Sequence, residues 1–241
     1  MKSSLSLCVL LCALLFSCGK SPERQGRELV DRAIAAHGGA DAWEEISVLK
    51  FNKRTRLLRE DGSVESELNQ HMEFRLKPNV EGKITWTKDG LEHVSTWDGV
   101  RMRYFMGKNE VENTGFLASK KKGFDMEFYA VAQPWKLLNE KTTPIYEGQK
   151  TLENGRLVEV IRMDYGPEAD VWYYYFDPKS AVVVGSEVHM KDQKMLTYNL
   201  GYSDVERLKV QGQSDRWTVN EKGEKLFVNA EYLYSDYQIT K

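Results

Sequence analysis

Apolar and polar residues alternate with a period of two along most of the chain from about residue 46 onward, which predicts an antiparallel β-sheet. Asp-Gly pairs at 61–62, 89–90 and 98–99 separate the first strands, and such pairs are typical of tight hairpin turns. We therefore predict a meander of neighbouring strands. The predicted strands are 46–58, 63–76, 81–87, 91–97, 100–106, 143–150, 156–164, 169–177, 181–190, 193–203, 206–213 and 225–239.

Two segments depart from this alternation and show helical spacing instead. Between Arg27 and His37, apolar residues recur every three or four positions, and the pair Gly38-Gly39 ends the predicted helix. Between Leu117 and Asn139 helical spacing returns, with Pro134 expected to break or kink the segment. The predicted fold class is mainly β (α+β): a large curled antiparallel sheet or unclosed β-barrel of about 10–12 strands, with an N-terminal helix and a central helical lid.

The N-terminus predicts export and lipid attachment. Lys2 precedes an apolar core, Leu5–Phe16, which is too short to span a bilayer of about 30 Å as a helix. The tetrad Leu15-Phe16-Ser17-Cys18 resembles the bacterial lipobox, which implies that Cys18 carries a diacylglycerol group; the alternative is a plain secretory signal. We predict a signal peptide over 1–17, the lipidated cysteine and a tether over 18–26, and one domain over 27–241.

Cysteine content and charge exclude several function classes. The three cysteines, Cys8, Cys12 and Cys18, lie in or directly after the predicted signal, so the domain has no thiol for a disulfide, a metal site or a nucleophile. Loss of Lys2 from the 34 basic residues leaves 33 against 36 acidic ones, a net charge near −3. Since no basic stripe is present, we expect no nucleic-acid partner.

No catalytic or metal motif is apparent in the sequence. The four histidines, His37, His71, His93 and His189, form no zinc motif, and there is no nucleophile elbow, phosphate loop or dinucleotide fingerprint. We expect no cofactor. His37 ends the first helix, where a structural role is favoured. A hydrolase remains one alternative, and its site would combine His93 or His189 with carboxylates from other strands.

Several predicted strands carry one wide face rich in aromatic residues and methionine. Such a face suits the lining of an apolar cavity, but a sheet covered by helices needs the same kind of face for a packed core. Periodicity does not distinguish a filled sheet from a hollow one. Both interpretations therefore stay open on the pattern alone.

Short motifs in a fixed order resemble a set of uncharacterised exported proteins common in Bacteroidota. They are residues 35–39 followed by Trp43 and Ile46, then Phe128-Tyr129 with 134–138, then the aromatic strand 173–179 that ends in Asp-Pro-Lys. That set is similar to the LolA/LolB-type lipoprotein carriers. The resemblance implies an unclosed antiparallel barrel in which helices form a lid over an apolar cavity, and a function in holding acyl chains in the periplasm or at the outer membrane.

The leading hypothesis is therefore a membrane-anchored, non-enzymatic lipoprotein that binds a lipid or a lipoprotein acyl chain. It would lie in the cell envelope, with the outer membrane preferred, and could engage an envelope protein partner. The alternative to a hollow carrier is a packed structural or interaction domain of an envelope complex. The residues predicted to line the cavity are Ile84, Trp86, Trp97, Met102, Tyr104, Leu196, Tyr198 and Leu200, with Trp135 on the lid.

Overall fold

The computed structural model describes residues 20–138, 142–167, 169–191, 193–220 and 222–241; the predicted signal and Cys18 lie outside these ranges. Its helices are α1 (Pro22–Ala36), α2 (Ala40–Glu44), α3 (Thr114–Val131) and a 3₁₀ turn (Trp135–Leu138). Its strands are β1 (Val48–Leu58), β2 (Val64–Arg75), β3 (Glu81–Lys88), β4 (Leu91–Trp97), β5 (Met102–Met106), β6 (Asn109–Glu110), β7 (Ile145–Thr151), β8 (Leu157–Asp164), β9 (Val171–Phe176), β10 (Val183–His189), β11 (Lys194–Val205), β12 (Leu208–Val219) and β13 (Lys225–Thr240).

These strands form one antiparallel sheet in the order β6-β5-β4-β3-β2-β1-β13-β12-β11-β10-β9-β8-β7. The last strand joins the two halves of the meander, since β13 pairs with β12 on one side and with β1 on the other, from Val48 opposite Thr240 to Leu57 opposite Ala230. Strands β6 and β7 end the sheet at opposite edges, so it is unclosed. This confirms the predicted fold class. The structure has one strand more than the twelve predicted from the sequence. This additional strand, β6, has two residues and is too short to show an alternating pattern.

The sheet has two faces with different roles. The inner face, which we define as the one covered by α1 and α3, holds the main core, which includes Phe51, Phe74 and Tyr174 of the sheet and Leu29 and Val30 of α1. The other face, here the outer face, holds a separate apolar cluster. Its buried members, the outer cluster, are Leu152, Val158, Val160, Tyr175, Val184, Leu196, Tyr198 and Val219.

Helix α1 begins five residues before the predicted start, so residues 22–26 are helical. Ser21 caps the helix by accepting a hydrogen bond from the Arg24 amide, and Pro22 occupies the first turn, where its missing N–H costs nothing. Gly26 faces the sheet so closely that a Cβ there would lie 2.2 Å from the Pro144 carbonyl oxygen. In the described ranges, no helix is long and apolar enough to cross a membrane.

Candidate ligand-binding cavity

Helix α3 divides the inner face into a filled part and a hollow part. On one side its aromatic residues pack on the sheet, with Phe124 5.2 Å from Phe74 and Phe116 4.8 Å from Tyr104 between ring centroids. On the other side a cavity of about 900 Å³ lies between α3 and the sheet. Its volume is within the range of small-molecule sites, which is roughly 300–1,000 Å³. The filled and hollow interpretations thus each apply to one part of the sheet.

The cavity walls are aromatic and aliphatic. Tyr129 on α3 faces Trp172 on β9 at 6.4 Å between ring centroids, so the helix and the sheet both contribute rings. A single acyl chain would find apolar contacts along these walls. The apolar and aromatic lining consists of Leu57, Leu68, Ala118, Met126, Tyr129, Ala130, Tyr165, Trp172, Val183, Val188, Met195, Tyr202, Tyr232 and Tyr234.

A band of small polar side chains crosses the cavity floor. Thr197 on β11 lies opposite Ser186 on β10, and Asn199 lies opposite Ser214 on β12. Thr55 on β1 lies in the same band, because it pairs with Tyr232, which pairs with Ser214. The hydroxyl groups here offer hydrogen bonds that an entirely apolar cavity would lack, whereas the Asn199 amide nitrogen already donates to the Val183 carbonyl and the Tyr202 hydroxyl. The floor therefore suits an amphiphile better than a plain hydrocarbon.

One ion pair links α3 to the sheet through the cavity wall. The Lys53 ammonium on β1 donates to both carboxylate oxygens of Glu127 on α3, at 2.7 and 2.5 Å. It also lies 4.6 Å above the centre of the Tyr232 ring, within range of a cation–π interaction. The Lys53 side chain is 6% exposed and that of Glu127 is 23% exposed. The lysine charge therefore depends on Glu127 for its compensation.

Phenol and amide groups cluster where α3 ends. The Tyr174 hydroxyl donates to the Tyr129 hydroxyl at 3.3 Å, the Tyr129 and Tyr165 hydroxyls lie 3.2 Å apart, and the Gln133 amide donates to Tyr174 at 3.3 Å. These bonds connect the C-terminal end of the helix to β9. They fix the rings that close this side of the cavity.

His37 is a structural residue behind the cavity floor. Its Nδ1 lies 2.8 Å from the Lys209 carbonyl oxygen, and its Nε2 accepts a hydrogen bond from the Val183 amide at 3.3 Å. A ring that donates through Nδ1 and accepts through Nε2 is neutral. Burial lowers the pKa of His37 from 6.5 to about 4. The residue therefore joins α1 to β10 and β12 as an uncharged bridge.

We expect acid to weaken the fold through His37. Because its folded-state pKa is depressed, the unfolded chain binds the extra proton first, so the contribution is complete above pH 6.5 and declines as the pH falls toward 4. At about 1.36 kcal/mol per pKa unit, the loss over that window is roughly 3 kcal/mol. Urea unfolding at pH 7 and pH 4 should show this loss in the native chain and a much smaller one in His37→Gln. The matched control is His71→Gln, on the exposed outer face, which should keep the native pH dependence; equal losses in all three proteins would contradict the assignment.

The residues predicted on β3 to β5 belong to the filled part of the inner face and do not line the cavity. Ile84, Met102 and Tyr104 are at most 6% exposed and lie in the main core, while Trp86 and Trp97 pack against it. The physical reason is the position of α3, whose N-terminal half covers these strands. Periodicity assigned these residues to the inner face, where they lie, but carried no information on where the helix docks.

The residues predicted on β11 do not line the cavity either. Leu196 and Tyr198 belong to the outer cluster, and Leu200 is 54% exposed. The alternate residues of the strand, Met195, Thr197 and Asn199, face the cavity instead. The more apolar face of β11 is thus the outer one, because a second apolar cluster forms there.

Trp135 lies in the core that joins the two helical segments, and not in the cavity. Its ring stacks on Trp43 at 4.5 Å, and its indole N–H donates to the Gly39 carbonyl at 3.0 Å. It also meets His37 edge-on at 5.9 Å. At 3% exposure it has no free face for a ligand.

The two histidines of the hydrolase alternative lie apart from the cavity lining. His93 contacts the Tyr104 hydroxyl at 2.7 Å and stacks on Trp86. His189 contacts Glu187 at 2.5 Å in a hollow of about 180 Å³ on the outer face. No group of three or more metal-ligating side chains was found in the part of the chain that the structure describes.

The sequence matches no protein-family model and no curated protein. Three solved structures share the architecture. A DUF1329 family protein from Desulfovibrio piger has a TM-score of 0.57 at 9% identity, over 91% of this chain and 94% of the other, and a LolA superfamily protein from Nitrosomonas europaea has a TM-score of 0.57 at 8% identity, over 90% and 94%. A domain from Vibrio parahaemolyticus assigned as an outer membrane lipoprotein-sorting protein has a TM-score of 0.56 at 11% identity, over 91% and 94%. At these identities the similarity concerns the fold alone. The chain has a LolA-like fold: a large unclosed antiparallel sheet whose inner face is partly covered by helices.

Proposed function

We propose that this chain is a carrier of the cell envelope that holds a lipid or a lipoprotein acyl chain between α3 and the inner face of the sheet. The observation that carries the proposal is the cavity of about 900 Å³ in a LolA-like fold, with rings and aliphatic side chains as its walls. One acyl chain gains about 0.8 kcal/mol for each buried methylene, so ten of them supply roughly 8 kcal/mol before the cost of association. No chemical step is needed for such a role.

In the same proposal, Cys18 is the residue that carries the lipid anchor. A diacylglycerol on this residue would hold the domain at a membrane, with the first helix beginning four residues later at Pro22. The resemblance to the lipobox supports the lipid anchor alone, and the outer membrane is supported by the assignment of the Vibrio domain to outer membrane lipoprotein sorting. An envelope protein that delivers or accepts the ligand is the partner that a carrier requires.

The two alternative functions have less support. A packed interaction domain has no use for a hollow of this size beneath a helix. A hydrolase would need His93 or His189 at a site that admits substrate, yet His93 is 8% exposed in the filled part and His189 lies on the outer face. The carrier proposal alone makes use of the cavity.

Native mass spectrometry of residues 20–241, which contain both apolar clusters and the thirteen strands, tests the carrier proposal. We expect a co-purifying lipid mass that is lost on denaturation. Thr197→Trp places a large ring on the cavity floor. It should lower the fraction of protein with bound lipid at least about tenfold, since the ring fills the volume that the acyl chain needs. Thr85→Trp is the matched control, because Thr85 is also half-buried in a strand but belongs to the outer face. It should keep the lipid.

A different result would remove the proposal. If the native domain carries no lipid and binds neither added fatty acid nor lipopeptide, the carrier function fails. Equal occupancy in Thr197→Trp and Thr85→Trp would show that any lipid binds outside this cavity.

A further inference from the structure

We propose that the ligand of this cavity is an amphiphile with an anionic head group, carboxylate or phosphate, and that the Arg216 guanidinium on β12 binds that group. The inference rests on the proposed carrier function and names the class of its ligand. It assigns the acyl chain to the aromatic walls and the head group to the polar floor.

The charge of the cavity is opposite to that of the chain. Four cationic side chains line it, Lys53, Lys121, Lys122 and Arg216, against the two anionic side chains Asp125 and Glu127, so the lining carries a net charge of +2. The whole chain carries −2 at pH 7. A positive lining favours an anionic ligand even though the whole protein is negative. Charges inside a partly desolvated cavity act strongly on the ligand, whereas water and salt screen the charges on the outer surface.

The ion pairs leave Arg216 with its charge uncompensated. Lys53 pairs with Glu127, and Lys121 pairs with Asp125 one turn further along α3, at 2.6 Å. The two lining carboxylates are therefore already bonded to lysines. Among the residues that the structure describes, no carboxylate lies within 4.0 Å of the Arg216 guanidinium, and Lys122 is exposed on the helix.

The orientation of Arg216 leaves its terminal groups available. Nε donates to the Asn229 amide oxygen at 2.9 Å, and the guanidinium carbon lies 5.8 Å from the centre of the Tyr232 ring. One hydrogen bond and one ring thus hold the guanidinium, while its two terminal nitrogens keep the fork that binds a carboxylate or a phosphate through two parallel hydrogen bonds. A lysine at this position would supply the charge without the fork.

Hydroxyl groups beside Arg216 complete a head-group site. Arg216 pairs across the sheet with Thr197, and Thr197 pairs with Ser186, so both hydroxyls lie in the row of the guanidinium. Both residues line the cavity. Hydroxyl donors beside an arginine are suited to the remaining oxygens of a phosphate or to a glycerol group. A neutral, hydroxylated head group would use these hydroxyls but would gain nothing from the charge, and this difference is what the experiment measures.

The test is displacement of the neutral fluorescent ligand N-phenyl-1-naphthylamine from delipidated residues 20–241. The competitors share a sixteen-carbon chain and differ in the head group: palmitate, lysophosphatidylglycerol, lysophosphatidylcholine and monopalmitoyl glycerol, each below its micellar concentration. We expect palmitate or lysophosphatidylglycerol, or both, to bind at least about tenfold more tightly than monopalmitoyl glycerol. The order of the two anionic ligands then distinguishes a fatty-acid carboxylate from a phospholipid phosphate.

Substitutions assign the preference to one residue. Arg216→Gln should abolish the advantage of the anionic ligands and leave the affinity for monopalmitoyl glycerol within about twofold. Arg54→Gln, the same change on the exposed outer face of β1, should keep the native preference. Arg216→Lys should keep part of it, because the charge remains and the fork is lost.

Three outcomes would overturn the inference, and they have different meanings. Equal affinity for anionic and neutral ligands in the native chain removes the head-group preference and leaves the carrier function standing. An Arg216→Gln variant that loses all ligands equally shows a structural role for the arginine. Failure of every ligand, the neutral ones included, to displace the fluorescent compound removes the carrier function itself.

Discussion

Replacing Glu127 with glutamine should cost about 3 kcal/mol of folding free energy, whereas replacing Lys53 with methionine should cost only about 1 kcal/mol. The difference follows from exposure, since the Lys53 side chain is 6% exposed and the Glu127 side chain 23%. Without Glu127, a buried ammonium loses its counter-ion between two tyrosine rings. Without Lys53, the partly exposed carboxylate can turn toward water.

The double variant Lys53→Met/Glu127→Gln makes this prediction specific. We expect it to be nearly as stable as Lys53→Met alone. Glu127→Gln destabilises the fold only because it leaves the buried Lys53 ammonium without a counter-ion, and the double variant has no ammonium there. Urea unfolding of the four proteins at one pH gives the three free-energy differences and the coupling between the sites. A small, equal loss in both single variants would show that the pair is solvated and does not secure the helix.

The Lys53–Glu127 pair also explains why α3 can cover a cavity at all. Among the described residues, no other ion pair joins α3 to the sheet. The Tyr174–Tyr129 hydrogen bond adds a second link at the C-terminal end of the helix. Apolar packing holds the other side of α3, through Phe116 and Phe124. The helix is thus attached along both sides while the space between these attachments stays open.

The fold was predictable because local signals agreed with the global arrangement. Gly62, Gly90 and Gly99 follow aspartates in the early turns and adopt φ values of 80°, 74° and 92°, a region that favours glycine. Each turn therefore reversed the chain where the sequence indicated, and the meander followed. The pairing of β13 with β1 lies beyond local signals, because it joins residues that are 173 to 192 positions apart.

The cavity lining was not predictable by the rule that the more apolar face of a strand points to the interior. On β11 that rule selects Leu196 and Tyr198, which do become buried, but in the outer cluster with Val160, Tyr175 and Val219. A strand with a core on each side has no single interior. A cavity with a polar floor then takes the less apolar face, here Thr197 and Asn199, which resembles a solvent-exposed face in sequence.

The last strand carried a signal that the sequence analysis did not use. Tyr232 and Tyr234 alternate on β13 and both line the cavity, opposite Thr55 and Lys53 of β1. An alternating pair of tyrosines in a strand indicates one aromatic face. What the pattern lacks is the partner strand, and without it the buried position of Lys53 beside these rings could not be anticipated.

The second large expected effect is a contrast between two tryptophans: Trp135 should matter for stability and Trp172 for ligand binding. Trp135→Ala should cost about 3–5 kcal/mol of folding free energy, because it removes a fully packed indole, its stack on Trp43 and its hydrogen bond to Gly39. Ligand affinity of the folded fraction should stay within about twofold. Trp172→Ala should cost about 1 kcal/mol, since the ring is half-buried, and should weaken ligand binding about tenfold by removing one cavity wall.

The two measurements, urea unfolding and displacement of the fluorescent ligand, separate a core residue from a wall residue, which a single assay cannot do. Trp135→Phe supports the assignment further: it keeps an aromatic ring against Trp43 and loses the hydrogen bond to Gly39, so it should recover most of the stability lost in the alanine variant. If instead Trp135→Ala weakens binding tenfold while Trp172→Ala leaves it unchanged, Trp135 is the wall residue. The helical segment that the sequence identified as a lid would then close over the ligand through its 3₁₀ turn and not through α3.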